Sequence, residues 1–136
     1  MLCIRGSSSI TRLEFHVSYK IMYCHKVFDF PEVKKRCEEI FFEVSRKYEF
    51  LIKEIGFKDE HVHLILLLKV TQSLDMVSKW LKGTSGYMIL REFPEIKQKY
   101  FWGSGLWNGV IYADAVGAFG QNPERLHSYV RNQGRN

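Results

Sequence analysis

Apolar and polar residues alternate along the first strongly patterned segment of the chain, residues 11–20. Side chains two positions apart lie on the same face of a β-strand, so alternation is typical of a strand with one buried face. We therefore predict a half-buried strand here. Its apolar positions are Leu13, Phe15, Val17 and Tyr19, and the polar positions between them are Glu14, His16 and Ser18.

The period lengthens to that of a helix from Pro31 onward. Apolar residues recur three or four positions apart, as on the buried face of an amphipathic helix. Proline is well tolerated in the first helical turn, and Asp29 stands where a capping side chain can accept from the first backbone N–H groups. A first helix is therefore predicted. Its apolar stripe consists of Val33, Cys37, Ile40, Phe41, Val44 and Tyr48.

Two further strand-like runs, residues 49–57 and 61–70, flank the polar turn formed by Lys58, Asp59 and Glu60. Two such runs separated by a short polar turn predict a β-hairpin. The second run is apolar almost throughout after its histidines, which is typical of a central strand covered on both faces.

The rest of the chain predicts a helix, a loop, a strand and a final helix. The second helical pattern begins at Ser73, and residues 94–109, rich in glycine and aromatic side chains, are interpreted as a loop. A fourth strand is predicted over residues 110–117. Residues 122–133 are predicted to form a terminal helix, because a capping asparagine and a first-turn proline open it.

The predicted order of elements is therefore β-α-β-β-α-β-α. Its first six members match the βαββαβ plan of ferredoxin-like folds, an α+β fold in which helices cover one face of an antiparallel sheet. The chain has 136 residues, of which 46% are hydrophobic, enough to bury a core. We predict a single domain over residues 1–136.

Basic residues outnumber acidic residues, which suits an anionic partner. Twenty Lys and Arg against 15 Asp and Glu give a net charge of +5. The three cysteines are odd in number and form no C-x-x-C pair, which argues against a disulfide framework and favours a reducing cytoplasm. No apolar stretch reaches the roughly 18 residues of a membrane span, so we expect a soluble, unsecreted protein without membrane partners.

Two histidines stand at alternate positions at the start of the run "HVHLILLL". On a strand, His61 and His63 project from one face, where two imidazoles can bind one metal ion. The alternative is structural, with one histidine exposed in the turn and the other capping the strand. Near the other end of the chain, Tyr129 and Gln133 are four residues apart and so share one face of the predicted helix, a spacing that ordinary packing also explains.

Taken together, the motifs resemble a known family. "HVHLILLL" is followed by "WLKGTSGYMILREFP", by "FWGSGLW", by a strand ending in "AVG" and by "YVRNQ". In this order and spacing, from about Leu13 to Gln133, the chain resembles the TnpA-type single-tyrosine HUH transposases of small bacterial and archaeal insertion sequences. The resemblance implies a ferredoxin-like or RRM-like core and a homodimer formed by sheet extension.

The resemblance also implies residue roles. His61 and His63 are implied as ligands of a divalent metal, Mg²⁺ or Mn²⁺, with Gln133 as the third ligand and Tyr129 as the nucleophile. The C-terminal helix would carry Tyr129 into the partner's site, giving composite sites. Glu60 stands where the family usually pairs an Asp with the first histidine.

The implied reaction is the cleavage and rejoining of single-stranded DNA at the ends of the element, through a 5′-phosphotyrosine intermediate. The DNA partner implied is a single strand that folds into a hairpin. A phosphotyrosine link conserves the phosphodiester bond, so a DNA 3′-OH can later reverse the attack without ATP.

Further residues are candidates for DNA contacts. Lys79, Lys82 and Arg91 can track phosphates, and the aromatic side chains of the segment around Trp102 can stack on unpaired bases. A solvated helix face and an aromatic loop packed on the core explain the same residues. The aromatic candidates are Tyr100, Phe101, Trp102 and Trp107.

Two other functions stay open on sequence grounds. One is a non-catalytic, RRM-like module for single-stranded nucleic acid, whose affinity would not depend on His61, His63 or a metal. The other is a metal-dependent phosphodiester hydrolase that uses water, for which Tyr129 would be dispensable.

Overall fold

The computed structural model describes residues 4–5, 10–11 and 13–115. A two-residue antiparallel pair, β1 (Ile4–Arg5) and β2 (Ile10–Thr11), precedes the main body. The predicted terminal helix, with Tyr129 and Gln133, lies outside the described residues. The elements of the main body are β3 (Leu13–Ile21), α1 (Pro31–Tyr48), β4 (Leu51–Lys58), β5 (His61–Leu68), α2 (Leu74–Glu92), α3 (Pro94–Tyr100) and β6 (Trp107–Ala115).

The main sheet has four strands in the order β4-β5-β3-β6, and every neighbouring pair is antiparallel. The first and third strands of the βαββαβ unit therefore lie in the centre, and the second and fourth lie at the edges. This topology confirms the predicted ferredoxin-like α+β fold. It also places β3 and β5 side by side, although 47 residues separate His16 from His63.

One face of the sheet, here called the helix face, packs against α1 and α2. Its side chains on β5 are Val62, Leu64, Leu66 and Leu68, all with no exposed area. They join the apolar stripes of the two helices in one core, and truncating such a buried leucine to alanine typically costs about 2–5 kcal/mol. The helix stripe on α1 consists of Val33, Cys37, Ile40, Phe41 and Val44.

The opposite surface of the sheet is here called the histidine face. Because side chains alternate along each strand, residues that do not join the helix face point here. The residues of β3 and β5 on this face are Glu14, His16, Ser18, Lys20, His61, His63, Ile65 and Leu67.

The predicted starts of both helices, at Pro31 and Ser73, are confirmed, whereas the predicted Asp29 cap is wrong. Ser73 caps α2, since its Oγ accepts a hydrogen bond from the Met76 N–H at 3.1 Å. Asp29 does not cap α1: it lies in a short 3₁₀ turn, Val27–Asp29, and the capping position is Phe30, which makes no side-chain cap hydrogen bond. Pro31 begins that helix as predicted.

The prediction of a loop over residues 94–109 is wrong. Residues Pro94–Tyr100 form a helix, and the last strand begins at Trp107 rather than at residue 110. Apolar anchors explain the difference, because Ile96 and Phe101 are buried and fix this helix on the core. No helix of the described residues is long and apolar enough to cross a membrane.

Candidate functional site

The two histidines predicted from the H-x-H motif lie side by side on the histidine face. β5 begins at His61, directly after the turn, and the buried leucines that follow fix the strand in the centre of the sheet. The ring centroids of His61 and His63 are 4.7 Å apart, with an interplanar angle of 84°. Two imidazoles so placed can serve one metal ion.

A carboxylate holds the first histidine. The Nδ1 atom of His61 lies 3.0 Å from Oε1 of Glu60. The turn that carries Glu60 is itself anchored, because the Glu60 carbonyl accepts from the Ile21 N–H at 2.7 Å and the Asp59 carbonyl accepts from the Phe28 N–H at 3.0 Å. An acceptor at Nδ1 selects the tautomer in which Nε2 carries the lone pair. Glu60 thus provides the acidic partner of His61.

A third histidine, His16, contacts the second. Its Nε2 lies 3.3 Å from Nδ1 of His63, and the two rings stack with centroids 5.4 Å apart and planes 23° apart. The sequence motifs did not single out His16. The available signal was the alternation along β3, which places His16 on the polar face, but only the strand register brings it to His63.

Burial keeps two of these imidazoles neutral. Desolvation, and to a smaller extent the nearby His61 and His16, lower the pKa of His63 to about 4. Desolvation also lowers the pKa of His16, against an opposing effect of Asp114 on the neighbouring strand. Near neutral pH both rings are therefore uncharged, which is the state that a metal ligand requires.

The residues paired with His61 on the neighbouring strands are basic, as suits a phosphate ligand, whereas those paired with His63 are small. Ser18 and Gly56, the partners of His63 on the two neighbouring strands, are both small. The partners of His61 are both lysines, Lys20 and Lys58. This row therefore carries two positive charges beside the histidine pair.

The DNA-contact candidates of α2 are not brought to the histidines. α2 packs on the helix face, so Lys79, Lys82 and Arg91 lie on the other side of the sheet. The Lys82 Nζ donates to the Asn108 carbonyl at 2.7 Å, and burial lowers its pKa. The Lys79 side chain is exposed and its Nζ lies 3.4 Å from a carboxylate oxygen of Asp75.

Three of the four aromatic candidates divide into an exposed and a buried group. Trp102 is 83% exposed and can meet a base. Phe101 and Trp107 are core residues, and the Trp107 indole donates to the buried Ser85 hydroxyl at 2.9 Å. Base stacking by Phe101 and Trp107 is therefore excluded by their burial.

The donor set fits a divalent ion as far as the structure describes it. Within residues 13–115 no group of three or more His, Cys, Asp or Glu side chains is arranged to hold a metal. Two imidazoles with both Nδ1 atoms hydrogen-bonded nevertheless match the usual outer sphere of metal-binding histidines. A further ligand must come from elsewhere, and Tyr129 and Gln133 lie outside the described residues.

The fold and the histidine pair define a class, and comparison with known proteins identifies it. Residues 9–133 match the family of IS200-like transposases. The chain belongs to this family of DNA transposases, as the motif resemblance predicted. Its substrate class is therefore DNA.

Individual relatives agree with the family. The chain is 28% identical over 104 residues to the ISDra2 transposase TnpA of Deinococcus radiodurans, covering 76% of this chain and 73% of that protein. It is 24% identical over 124 residues to the IS200 transposase of Salmonella typhimurium, covering 88% and 76%.

Solved structures agree as well. A transposase from Deinococcus radiodurans R1 superposes with a TM-score of 0.76 at 25% identity, covering 96% of this chain and 97% of that one. A REP-associated tyrosine transposase bound to a REP hairpin superposes with a TM-score of 0.62 at 12% identity, covering 96% and 66%. At that identity the second match supports the fold alone.

Proposed function

We propose that this transposase cleaves and rejoins single-stranded DNA at the ends of an insertion sequence, through a covalent 5′-phosphotyrosine on Tyr129. The observation that carries the proposal is the pair His61 and His63, held on a central strand with each Nδ1 within hydrogen-bonding distance of a neighbouring side chain. In a transposase, such a pair supports phosphodiester chemistry assisted by a divalent ion.

We propose that His61, His63 and Gln133 hold that ion, Mg²⁺ or Mn²⁺. When bound, it would polarise the scissile phosphate and orient it for attack. Two imidazoles and an amide oxygen are neutral ligands, and imidazole favours Mn²⁺ over Mg²⁺.

In the covalent step, the Tyr129 phenol loses its proton and its oxygen bonds to the phosphorus. The bond from phosphorus to the 3′ oxygen breaks, and that oxygen takes up a proton to leave as a DNA 3′-OH. The reverse reaction with another 3′-OH releases Tyr129 and joins new ends. Because each step exchanges one phosphate ester for another, no external energy source is needed.

The lysine row supports a DNA strand on the histidine face. Lys20 and Lys58 flank His61, so they are placed to neutralise the phosphates next to the one that is cleaved. Tyr112 is 50% exposed, and the Lys20 Nζ lies 5.0 Å from its ring centroid. The Tyr112 ring therefore offers a surface on which an unpaired base can stack. The hairpin bound by the REP-associated relative makes a DNA hairpin the first substrate to test.

We also propose a homodimer formed through β6. This strand lies at one edge of the sheet, and most of its residues are exposed, including Val110 and Tyr112. A long exposed edge strand is a template for pairing with a second chain. In the dimer, Tyr129 of one subunit would act with His61 and His63 of the other.

The test is incubation of the full chain with a single-stranded hairpin oligonucleotide and Mn²⁺ or Mg²⁺, followed by a denaturing gel. We expect a covalent protein-DNA adduct that disappears in EDTA and in Tyr129→Phe, while Tyr129→Phe still binds the hairpin. His61→Ala and Gln133→Ala should lower cleavage more than binding. An adduct of normal yield from Tyr129→Phe would refute the assignment of Tyr129 as the nucleophile.

Two outcomes would favour the other functions. Turnover that persists in Tyr129→Phe without an adduct would indicate a hydrolase that uses water. Hairpin affinity with no cleavage, unaffected by His61→Ala, His63→Ala and EDTA, would indicate a binding module.

A further inference from the structure

The contact between His16 and His63 constrains how His63 can bind a metal. The Nδ1 atom of His63 is turned toward His16 Nε2 at 3.3 Å, within hydrogen-bonding distance. A ring nitrogen engaged in this hydrogen bond is not available to a metal ion, so His63 would coordinate through Nε2. An imidazole that coordinates through Nε2 carries its hydrogen on Nδ1, and this hydrogen points at His16.

We propose that His16 is the positioning residue of His63: its Nε2 accepts a hydrogen bond from the His63 Nδ1–H and so holds the tautomer and ring orientation that present Nε2 to the ion. The inference rests on the metal site of the proposed function, and extends it by a residue outside the H-x-H motif.

The geometry gives the contact the rigidity that this role needs. His16 and His63 lie on the two central strands, whose register runs unbroken from Leu13 to Lys20. Both side chains are partly buried, and the contact between the rings restricts rotation of both. The position of the acceptor is thus fixed by the sheet and not by a loop.

Asp114 completes the arrangement from the other side. It is the partner of His16 on β6, and its negative charge acts on the His16 ring. When Nε2 of His16 accepts from His63, the His16 hydrogen resides on Nδ1. A carboxylate on the neighbouring strand is compatible with this tautomer, because Nδ1–H is a donor and a carboxylate accepts.

The two metal-binding histidines would then be oriented by different acceptors. Glu60 offers His61 a carboxylate, whereas His16 offers His63 a neutral ring nitrogen. A neutral acceptor increases the basicity of the metal-binding nitrogen of His63 less than a carboxylate does. The contribution of His16 is therefore mainly to orient the His63 ring.

The first test observes tautomers without metal. Nitrogen-15 NMR of the histidine rings in the metal-free full chain should show His63 protonated at Nδ1. His16→Phe keeps a ring for stacking but removes the acceptor, and should shift His63 toward the Nε2–H form. His63 in the Nε2–H form in the wild-type protein would overturn the proposal.

The second test measures Mn²⁺ affinity by calorimetry. We expect His16→Phe to weaken binding about 10–100-fold, as loss of an outer-sphere partner does, and His16→Gln to stay close to wild type because its amide oxygen can accept in place of Nε2. His25→Leu, a histidine away from the sheet, is the control and should bind as wild type.

Equal affinity in wild type and in a His16→Phe protein with an unchanged unfolding temperature would refute the role of His16. A wild-type protein that binds no Mn²⁺ but shows the expected tautomer would refute the metal function instead, and would leave the His16 assignment standing.

Discussion

The Nδ1 atom of His61 lies 3.0 Å from the carboxylate of Glu60, the residue directly before it in the chain. Neighbouring residues in a strand point to opposite faces, so this contact requires Glu60 to belong to the turn. It does, and the left-handed conformation of Asp59, with φ of 43°, provides the tight reversal. The shape of the turn therefore decides the orientation of the His61 side chain, a ligand of the proposed metal site.

We predict that Glu60→Ala lowers Mn²⁺ affinity about 10–100-fold, because His61 loses the acceptor that fixes its tautomer. Glu60→Gln keeps a neutral acceptor and should lose less. Calorimetry of the full chain measures both, with Glu32→Ala on α1 as the control for loss of a surface carboxylate. Wild-type affinity in Glu60→Ala would show that His61 needs no such partner.

A second prediction concerns the lysine row. Replacing Lys20 or Lys58 by Gln should weaken binding of a single-stranded oligonucleotide, and each change should reduce the slope of log affinity against log salt by about 0.7, the value for one phosphate contact on a single strand. Fluorescence anisotropy at several salt concentrations gives the slope. The control is Lys35→Gln, which changes an exposed lysine on α1 and should leave the slope unchanged. An unchanged slope in the double variant Lys20→Gln with Lys58→Gln would mean that the DNA does not contact the lysine row.

The third prediction tests how the sheet is joined to α2. The hydroxyls of Tyr19 and Ser78 are 2.7 Å apart and fully buried, and burial raises the pKa of Tyr19 above its usual value. Tyr19→Phe leaves a buried hydroxyl without its partner and should lower the free energy of unfolding by about 1–3 kcal/mol. Urea unfolding of both single variants and of Tyr19→Phe with Ser78→Ala should give a double variant less destabilised than the sum. Simple additivity would mean that the two hydroxyls do not stabilise each other.

The fourth prediction addresses the dimer edge. Val110→Asp places a charge on the exposed edge strand and should shift the protein toward monomer in sedimentation velocity, since desolvating a carboxylate opposes strand pairing. Val70→Asp is a matched control, because Val70 is 40% exposed, close to the 49% of Val110, but follows β5 at another site. If the Val110→Asp and Val70→Asp dimers dissociate equally, or if neither dissociates, β6 is not the dimer interface.

The elements that could be predicted from sequence are those whose signal is local. Alternation gave β3, and the helical stripe from Val33 to Tyr48 gave α1. The helix Pro94–Tyr100 was missed because the glycines and tryptophans that follow it dominate the composition of that stretch, while its burial depends on contacts distant in sequence.

The candidate site shows the same division. His61 and His63 are two residues apart, so the motif alone placed them together. His16 and Lys20 reach the same place only through the hydrogen-bonded register between separate strands, which no short motif encodes. The roles of Tyr129 and Gln133 rest on family resemblance and stay predictions.

The short connection between β4 and β5 has a consequence for how this chain can evolve. Losing or gaining a single residue within β5 ahead of His63 would reverse the faces to which side chains of the strand point, sending a histidine into the apolar core and a leucine to the histidine face. Indels at this point would thus abolish chemistry and folding together. Length variation among relatives should therefore be tolerated in the segments after β3 and after α3, and be absent between Phe57 and Leu68.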